Sequence, residues 1–276
     1  MTMNARLLRA KSAEWNPADY AANSSVQQTW ARELIARLNL RGDEHILDVG
    51  CGDGKVTAEI ARSVPRGFVL GMDASAEMIG FASKMFPPSQ ISNLEFQIRD
   101  ARKISSVRRA GEFDFVFSNA ALHWFEDHPA FLRGAASVLK PGGRLVVSCG
   151  GKGNAQDVFI AARPEMRSKC WRGFFRRMPR PYFFYSPADY EKWLTKASFE
   201  IQRLQLAPKD ATYAGAEGFA AWMRTTWLPY VQRVPDNLRE GFITAVTKRY
   251  VAKHPPDADG QIHVQMVRLE IDAVKV

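Results

Sequence analysis

The sequence predicts an α/β fold with a doubly wound, largely parallel sheet. Short apolar runs alternate with amphipathic segments, a glycine-rich turn follows the first run, and acidic residues stand at the ends of the second and third runs. Strands that alternate with helices favour a parallel sheet with helices on both faces. The chain has 276 residues, of which 46% are hydrophobic, so it is long enough to bury a continuous core.

The N-terminal half supplies the alternating elements in order. Apolar residues recur at helical spacing over 24–40, which predicts an amphipathic helix before the first strand. The strands predicted next are residues 45–49, 67–73, 94–97, 113–118 and 144–148. Helices are expected between them. One is capped by Ser75, and another starts near Asp127 and stops at Pro141-Gly142-Gly143.

The C-terminal half departs from this alternation. Residues 150–185 mix glycines, prolines, aromatics and arginines, which predicts a cap or lid. A helix opening at Ser186-Pro187, a strand over 199–206 and a helix over 237–252 follow. The last apolar alternation slips phase once after Met266, which favours a long final strand with a bulge.

Composition restricts the class of protein. No stretch approaches the roughly 20 apolar residues that span a bilayer. The basic N-terminus does not run into an apolar segment, which favours a cytoplasmic protein without membrane insertion. The three cysteines and the scattered histidines show no ligand spacing, so neither a disulfide scaffold nor a metal site is expected.

The net charge of +9 is concentrated in the C-terminal half, where residues 151–276 carry +7. Within 163–180, seven basic residues accompany one acid, Glu165. Such a cluster attracts anions, which leaves a nucleic acid, a membrane surface, a small polycarboxylate or a plain solvated face open. If it faces a pocket, Arg172 and Arg176 would bind carboxylates of a polyacid, and Arg268 is a further candidate.

The informative motif is the run 47–55, Leu-Asp-Val-Gly-Cys-Gly-Asp-Gly-Lys. Its glycines let the backbone leave the strand tightly and approach a ligand. The spacing is neither the dinucleotide GxGxxG nor a P-loop, because Val56 stands where a P-loop has Ser or Thr. Asp73 is placed to accept hydrogen bonds from two ribose hydroxyls, and Asp100 from an adenine amine. Together they outline an adenosine site, with two N-capping acids as the alternative.

These residues resemble the class I S-adenosylmethionine (SAM) methyltransferases over about residues 40–150. The glycine run, Asp73, Asp100 and the turn Pro141-Gly142-Gly143 carry the resemblance. It implies a Rossmann-like, seven-stranded sheet whose last strand is antiparallel, and SAM as the cofactor. The cofactor-binding residues that it implies are Tyr20, Asp48, Gly50, Cys51, Gly52, Asp73, Ala74, Asp100, Ala101 and Asn119.

A narrower resemblance comes from both ends of the chain. The run 15–20, the Leu-His-Trp triplet at 122–124 and the distal tryptophans are similar to the trans-aconitate methyltransferases. The glycine loop and the triplet are also similar to the juvenile hormone acid methyltransferases. Both families make methyl esters of carboxylic acids. The resemblance implies that the Gln27 amide and the Trp124 indole hold the acceptor carboxylate.

A carboxylate acceptor needs no general base. Its reference pKa of about 4 leaves it ionised at neutral pH, so transfer depends on orientation and exclusion of water. Alternatives stay open at each residue. Trp124 could be a core aromatic, Gln27 a solvated side chain, and His123 a structural histidine, a substrate contact or a general base for a phenol.

We therefore expect a SAM-dependent methyltransferase whose partner is a small-molecule carboxylic acid. Residues 1–40 would cover the active site, 41–150 form the SAM-binding core, and 151–276 supply a helical cap, the acceptor region and two final strands. Nucleic acid is disfavoured because no RNA-binding motif is present. The alternatives are a phenol, hydroxyl or RNA acceptor, and a SAM-binding regulator without catalysis.

Overall fold

The structure, a computed structural model, describes residues 25–107 and 111–276. Its sheet has seven strands in the order β3-β2-β1-β4-β5-β7-β6. β1 to β5 are parallel, and β7 is antiparallel to both of its neighbours. The strands are β1 His45–Val49, β2 Phe68–Asp73, β3 Leu94–Ile98, β4 Phe113–Asn119, β5 Leu139–Gly150, β6 Phe199–Ala214 and β7 Gln261–Lys275. The predicted fold class is confirmed.

Helices cover both faces of this sheet. They are α1 Ser25–Ala36, α2 Lys55–Ser63, α3 Ala76–Met85, α4 His128–Val138, α5 Gln156–Arg167, α6 Arg172–Phe175, α7 Pro187–Lys196, α8 Gly215–Thr226, α9 Leu228–Val231 and α10 Asp236–Val251. Successive residues of β1 enter different cores, because side chains of a strand alternate between faces. Ile46 packs with α1 and α2, whereas Leu47 packs with α4 and α7.

Local capping explains where several helices begin. The Ser75 hydroxyl accepts from the Met78 N–H at 3.2 Å, and the Asp127 carboxylate accepts from the Ala130 N–H at 2.9 Å. These side chains satisfy backbone donors that the first turn of a helix leaves open. The predicted starts of α3 and α4 are thus confirmed. Within the described ranges, no helix has the length and apolarity needed to cross a membrane.

The predicted bulge in the final strand is wrong. The extra residue lies in β6, at Gln202, and β7 continues without interruption. The apolar residues of β7 shift from even to odd positions because the two halves of the strand bury opposite faces. Its first half packs under the cap helices α5, α8 and α10, and its second half packs on the opposite face under α4 and α7. The residues of the first half are Ile262, Val264 and Met266, and those of the second are Leu269, Ile271 and Ala273.

β5 also begins earlier than predicted, at Leu139 rather than Arg144. Its pairing with β4 jumps, since Phe113 lies opposite Leu139 and Phe115 opposite Arg144. The turn at Pro141-Gly142-Gly143 is therefore an irregular insertion within the strand, and Gly142 adopts a φ of +74° there. Extra residues on one strand that have no partner on the other form a β-bulge, and here the extra residues lie on β5.

The sheet order brings the ends of β1 and β4 together. From β1 the chain proceeds outward to β2 and β3, and it then returns to place β4 on the other side of β1. Loops that leave adjacent strands in opposite directions open a crevice at the carboxyl edge of the sheet. The glycine-rich turn and Asn119 both lie at this edge.

Candidate active site

The glycine-rich turn is folded so tightly that its glycines are required. Gly50, Gly52 and Gly54 have φ values of +77°, +53° and +79°. A Cβ on Gly50 would lie 2.1 Å from the Ala121 Cβ, a distance that real Cβ atoms do not tolerate. The Gly50 N–H also donates to the Met72 carbonyl at 2.7 Å. The turn therefore lies close against the ends of both neighbouring strands.

Asp73 holds this turn at the end of β2. Its Oδ2 accepts from the Gly52 N–H at 3.1 Å, and its Oδ1 accepts from the Ser75 N–H at 2.9 Å. Burial raises the pKa of Asp73, and these backbone hydrogen bonds oppose the rise. The neighbouring Ala74 is exposed. The arrangement presents a carboxylate beside the turn, in the place where the sequence predicts a ribose contact.

Asp48 lies beneath the turn and is 2% exposed. Its Oδ2 accepts from the Thr57 hydroxyl at 2.6 Å. Burial raises the pKa of Asp48 to about 7. The Thr57 hydrogen bond opposes this rise, whereas the charge of Asp73 adds to it. A cationic group bound above Asp48 would favour its ionised form, so this carboxyl can adjust its charge to a ligand.

The first of two adjoining cavities, which we name the loop cavity, lies at the crevice between β1 and β4. Four segments line it: α1 through Gln28, β1 through Asp48, the turn and the start of α2 through residues 50–53, 55 and 56, and the end of β4 with the residue after it through Asn119 and Ala120. The structure thus brings together the glycine turn, Asp48 and Asn119, as the sequence predicts. A cavity at a strand-order switch is the usual ligand site of a doubly wound sheet.

Asp100 and Ala101 lie after β3, at the start of a 3₁₀ turn over Ala101–Ser106. The Asp100 carboxylate accepts from the Arg102 Nε–H at 2.9 Å, and this contact holds its pKa below the usual range. Neither Asp100 nor Ala101 lines the loop cavity. The adenine contact predicted for Asp100 stays a prediction, and it would compete with the Arg102 ion pair.

The second cavity, which we name the aromatic cavity, meets the loop cavity at Ala120 and extends under the cap. The described residues enclose about 80 Å³. Its walls come from α1, the triplet after β4, the cap and β7. They include Trp30, His123, Trp124, Phe159, Tyr182, Phe184, Trp222 and Trp227. Among the described lining residues, Arg268 is the one with a full charge.

Arg268 is 4% exposed and is fixed on several sides. Its Nη2 donates to the Ser148 carbonyl at 2.6 Å and to the Asn119 Oδ1 at 3.1 Å. Its guanidinium also lies 5.5 Å from the centre of the Trp30 ring. Asn119 lines the loop cavity and Arg268 lines the aromatic cavity. A single hydrogen bond therefore links the two cavities.

His123 is held as a neutral imidazole. Its Nδ1 accepts from the Gly150 N–H at 3.2 Å, which leaves the ring hydrogen on Nε2. Burial, together with the charges of Arg268 and His128, lowers the pKa of His123 to about 3. A group with such a low pKa is a weak base at neutral pH, so the geometry opposes a general-base role.

Trp124 follows His123 on the 3₁₀ turn Leu122–Trp124. Its ring contacts the Tyr182 ring edge-on at a centroid distance of 5.0 Å. The Tyr182 hydroxyl is itself engaged, because it donates to the Thr226 carbonyl at 2.9 Å. The turn therefore positions an indole, with its N–H donor, in the wall of the aromatic cavity.

Comparisons with known proteins identify the family. Residues 40–197 match the family model described as a methyltransferase domain. The chain belongs to this methyltransferase family. It is 32% identical to an uncharacterised methyltransferase of Schizosaccharomyces pombe, over 69% of this chain and 72% of the relative. It is 30% identical to a trans-aconitate 2-methyltransferase of Deinococcus radiodurans, over 87% and 92%. A Methylobacterium radiotolerans protein of that same name is also 30% identical, over 95% and 99%.

Solved structures share the fold of this methyltransferase. The YcgJ protein of Bacillus subtilis superposes with a TM-score of 0.60 at 19% identity, and the match covers 89% of this chain and 97% of that one. Phosphoethanolamine N-methyltransferase 2 of Haemonchus contortus, in complex with S-adenosyl-L-methionine, has a TM-score of 0.60 at 17% identity. That match covers 94% of this chain and 56% of the other.

The structure does not bring every predicted residue of the methyltransferase to these cavities. Arg172 and Arg176 line a separate groove on the cap. Arg172 begins α6 and Arg176 follows it, so both belong to the short cap segment that forms this groove together with α5 and residues 178–181. Tyr20 and the side chain of Gln27 lie outside the described residues. Their roles stay predictions, although the next residue on α1, Gln28, lines the loop cavity.

Sequence reasoning missed part of the aromatic wall. Trp30 is one helical residue among several apolar ones, and nothing in its spacing distinguishes a cavity wall from a core contact. Phe159 and Phe184 come from a segment whose irregular sequence predicts no periodic structure. The one signal in the sequence was the density of aromatic residues in the cap, which indicates an apolar site but not which rings line it.

Proposed function

We propose that this methyltransferase transfers a methyl group to a small carboxylic acid and so forms a methyl ester. The observation on which the proposal depends is Arg268, a buried cation and the one charged residue among the described residues that line the aromatic cavity, which adjoins the loop cavity. An arginine attracts a carboxylate through its charge and through charge-assisted hydrogen bonds. The relatives named trans-aconitate 2-methyltransferases support the same class of acceptor.

The cofactor is S-adenosyl-L-methionine. The family membership supports it, as do the structural neighbours solved with that molecule and with S-adenosylhomocysteine. The residues present fit such a molecule. The turn at 50–54 leaves backbone, rather than side chain, facing the ligand, and Asp73 stands beside it with a carboxylate for hydroxyl donors. Bound SAM supplies an electrophilic methyl group on a positively charged sulfur.

The residues of the chain then bind, orient and exclude water. We propose that Arg268 holds one carboxylate of the acid, while the Trp124 indole N–H and the Gln27 amide orient the reacting carboxylate toward the loop cavity. Neutral donors leave that oxygen nucleophilic. The aromatic wall keeps water away, which strengthens the attraction between an anionic nucleophile and a positive sulfur. An acid with more than one carboxylate fits this division of roles.

No residue has to remove a proton. A carboxylic acid is already ionised at neutral pH, because its ordinary pKa is about 4. This agrees with the neutral His123, whose pKa of about 3 makes it a poor base. A phenol acceptor would need such a base, so the geometry favours the acid.

The test compares Arg268→Gln with Arg133→Gln, a control that removes one exposed arginine of α4 outside both cavities. Steady-state transfer to dicarboxylic acids is measured together with SAM affinity and the melting temperature. We expect Arg268→Gln to lower kcat/KM at least 30-fold, or about 2 kcal/mol, with SAM affinity within threefold of the wild type. An unchanged kcat/KM in a folded Arg268→Gln protein would contradict the proposal.

A second variant tests the orienting donor. Trp124→Phe keeps an aromatic ring against Tyr182 but removes the indole N–H. We expect about a tenfold loss of kcat, the usual worth of one hydrogen bond to a charged group, with unchanged SAM affinity. Loss of SAM affinity to the same extent would show that Trp124 supports the cofactor rather than the acceptor.

A further inference from the structure

The arginines of the cap converge on one open groove, which we name the arginine groove. It is formed by α5, α6, the loop 176–181 and Tyr230 of α9, and it encloses about 610 Å³. Five exposed arginines from these segments line it, namely Arg163, Arg167, Arg172, Arg176 and Arg180. Small-molecule sites in proteins commonly measure about 300–1,000 Å³, so the groove has the size of a ligand site.

Among the residues that the structure describes, no acid neutralises the charge of the arginine groove. No carboxylate lines it among the described residues. Glu165, the one acid within 163–180, instead forms an ion pair with Arg249 at 2.7 Å, on the other side of α5 from the groove. Guanidinium groups gathered in this way repel one another, and a bound anion relieves that repulsion. The groove is therefore complementary to a ligand with several negative charges.

The walls of the groove are held in place and include apolar faces. The Arg180 Nε–H donates to the Tyr182 carbonyl at 2.9 Å, and the Arg233 Nε–H donates to the Phe174 carbonyl at 3.1 Å. The first bond fixes the local course of the loop, and the second ties α6 to the segment that follows α9. Phe175 and Tyr230 lie between the arginines and offer aromatic faces. A ligand that combined phosphates with a flat ring would contact both kinds of surface.

The arginine groove is distinct from the aromatic cavity, although the two are neighbours. The described residues that line one do not line the other. Tyr230 of the groove and Tyr182 of the cavity have ring centroids 6.0 Å apart. One layer of aromatic rings thus separates them, and a molecule in the groove is not in the place of the reacting acid.

We propose that the arginine groove is a second ligand site, which binds an organic polyphosphate of nucleotide size. The phosphates lie on the guanidinium groups, and a ring lies on Phe175 or Tyr230. Compactness favours this ligand over a nucleic acid, because the arginines surround a single bowl instead of following a long stripe. A tricarboxylate would supply no ring.

The test measures binding of ADP, of adenosine and of inorganic tripolyphosphate by calorimetry. The protein is saturated with S-adenosylhomocysteine, so that the loop cavity cannot bind the adenosine of ADP. The variant Arg172→Gln with Arg176→Gln removes two charges from the groove. Its matched control is Arg133→Gln with Lys196→Gln, two exposed cations that do not line the groove. Methyl transfer to a small acid is measured for each protein. Binding of a 20-nucleotide single-stranded RNA is measured as well.

We expect ADP to bind more tightly than tripolyphosphate, and adenosine not to bind. The groove variant should weaken ADP binding at least tenfold, with the control within twofold of the wild type and methyl transfer unchanged. The proposal is overturned if neither phosphate binds at millimolar concentration, or if the groove variant binds ADP like the control. It is also overturned if the RNA binds more tightly than ADP, because the groove would then be part of a nucleic-acid surface.

Discussion

Replacing Gly50 with alanine tests the account of the glycine turn. The substitution has two separable costs. The φ of +77° disfavours any residue with a Cβ by about 1–2 kcal/mol, and the new Cβ would lie 2.1 Å from the Ala121 Cβ. Relieving such an overlap costs about 1–3 kcal/mol in a packed site. We therefore expect Gly50→Ala to lower the free energy of unfolding by about 2–5 kcal/mol.

Gly142→Ala is the matched control. Gly142 has a similar φ of +74°, but nothing lies within 4 Å of the position that a Cβ would take there. It should therefore incur the backbone cost alone, about 1–2 kcal/mol. Denaturant unfolding of both variants gives the difference, and calorimetry gives SAM affinity. Gly50→Ala should also weaken SAM binding at least tenfold, because the turn must move. Equal stability of the two variants, or wild-type SAM affinity in Gly50→Ala, would refute the reasoning.

The remaining predictions concern titratable groups of the site. The pKa of Asp48 is about 7 in the folded protein, against an ordinary value of 3.8. Its contribution to the free energy of unfolding is therefore fully present below about pH 4, where the carboxyl is protonated, and is lost as the pH rises through 7. Without ligand, Asp48→Asn should thus exceed the wild type in stability at pH 8 by up to about 4 kcal/mol, and melting curves that show equal stability at pH 8 would argue against it. Asp73→Asn should weaken SAM binding about 10- to 100-fold, because an NH2 group replaces one of the two oxygens that accept hydrogen bonds from the turn and from ligand hydroxyls. Glu77→Gln, at an exposed neighbour on α3, should not weaken it. His123→Gln should leave the pH profile of kcat between pH 6 and 9 unchanged, because the pKa of His123 is about 3; an inflection lost in the variant would indicate a base.

Local signals account for most of what the sequence predicts correctly. The strand over 45–49 is apolar and short, the turn after it has glycines at each position that needs a positive φ, and Ser75 is a capping residue at a helix start. Each of these features depends on neighbours within a few residues. The alternation of such elements then determines the sheet, since parallel strands need crossover helices.

Features that depend on distant parts of the chain could not be predicted. The phase change in β7 arises because the cap covers one face of its first half, and the cap helices begin as far back in the chain as Gln156. The buried position of Arg268 depends on Asn119, 149 residues away. Arg172 and Arg176 line another groove together with residues of α5 and Tyr230 of α9, a grouping that composition does not encode.

The most direct test of the proposed function is the chemistry of the product. The protein is incubated with methyl-labelled SAM and a series of mono-, di- and tricarboxylic acids, beside phenols and RNA, and each product is treated with mild alkali. An ester releases its methyl group as labelled methanol, whereas an ether or a methylated base does not. We predict alkali-labile label with the acids, most strongly with those that carry more than one carboxylate. Label that enters only the phenols or RNA, or none of the acids despite SAM binding, would contradict the account.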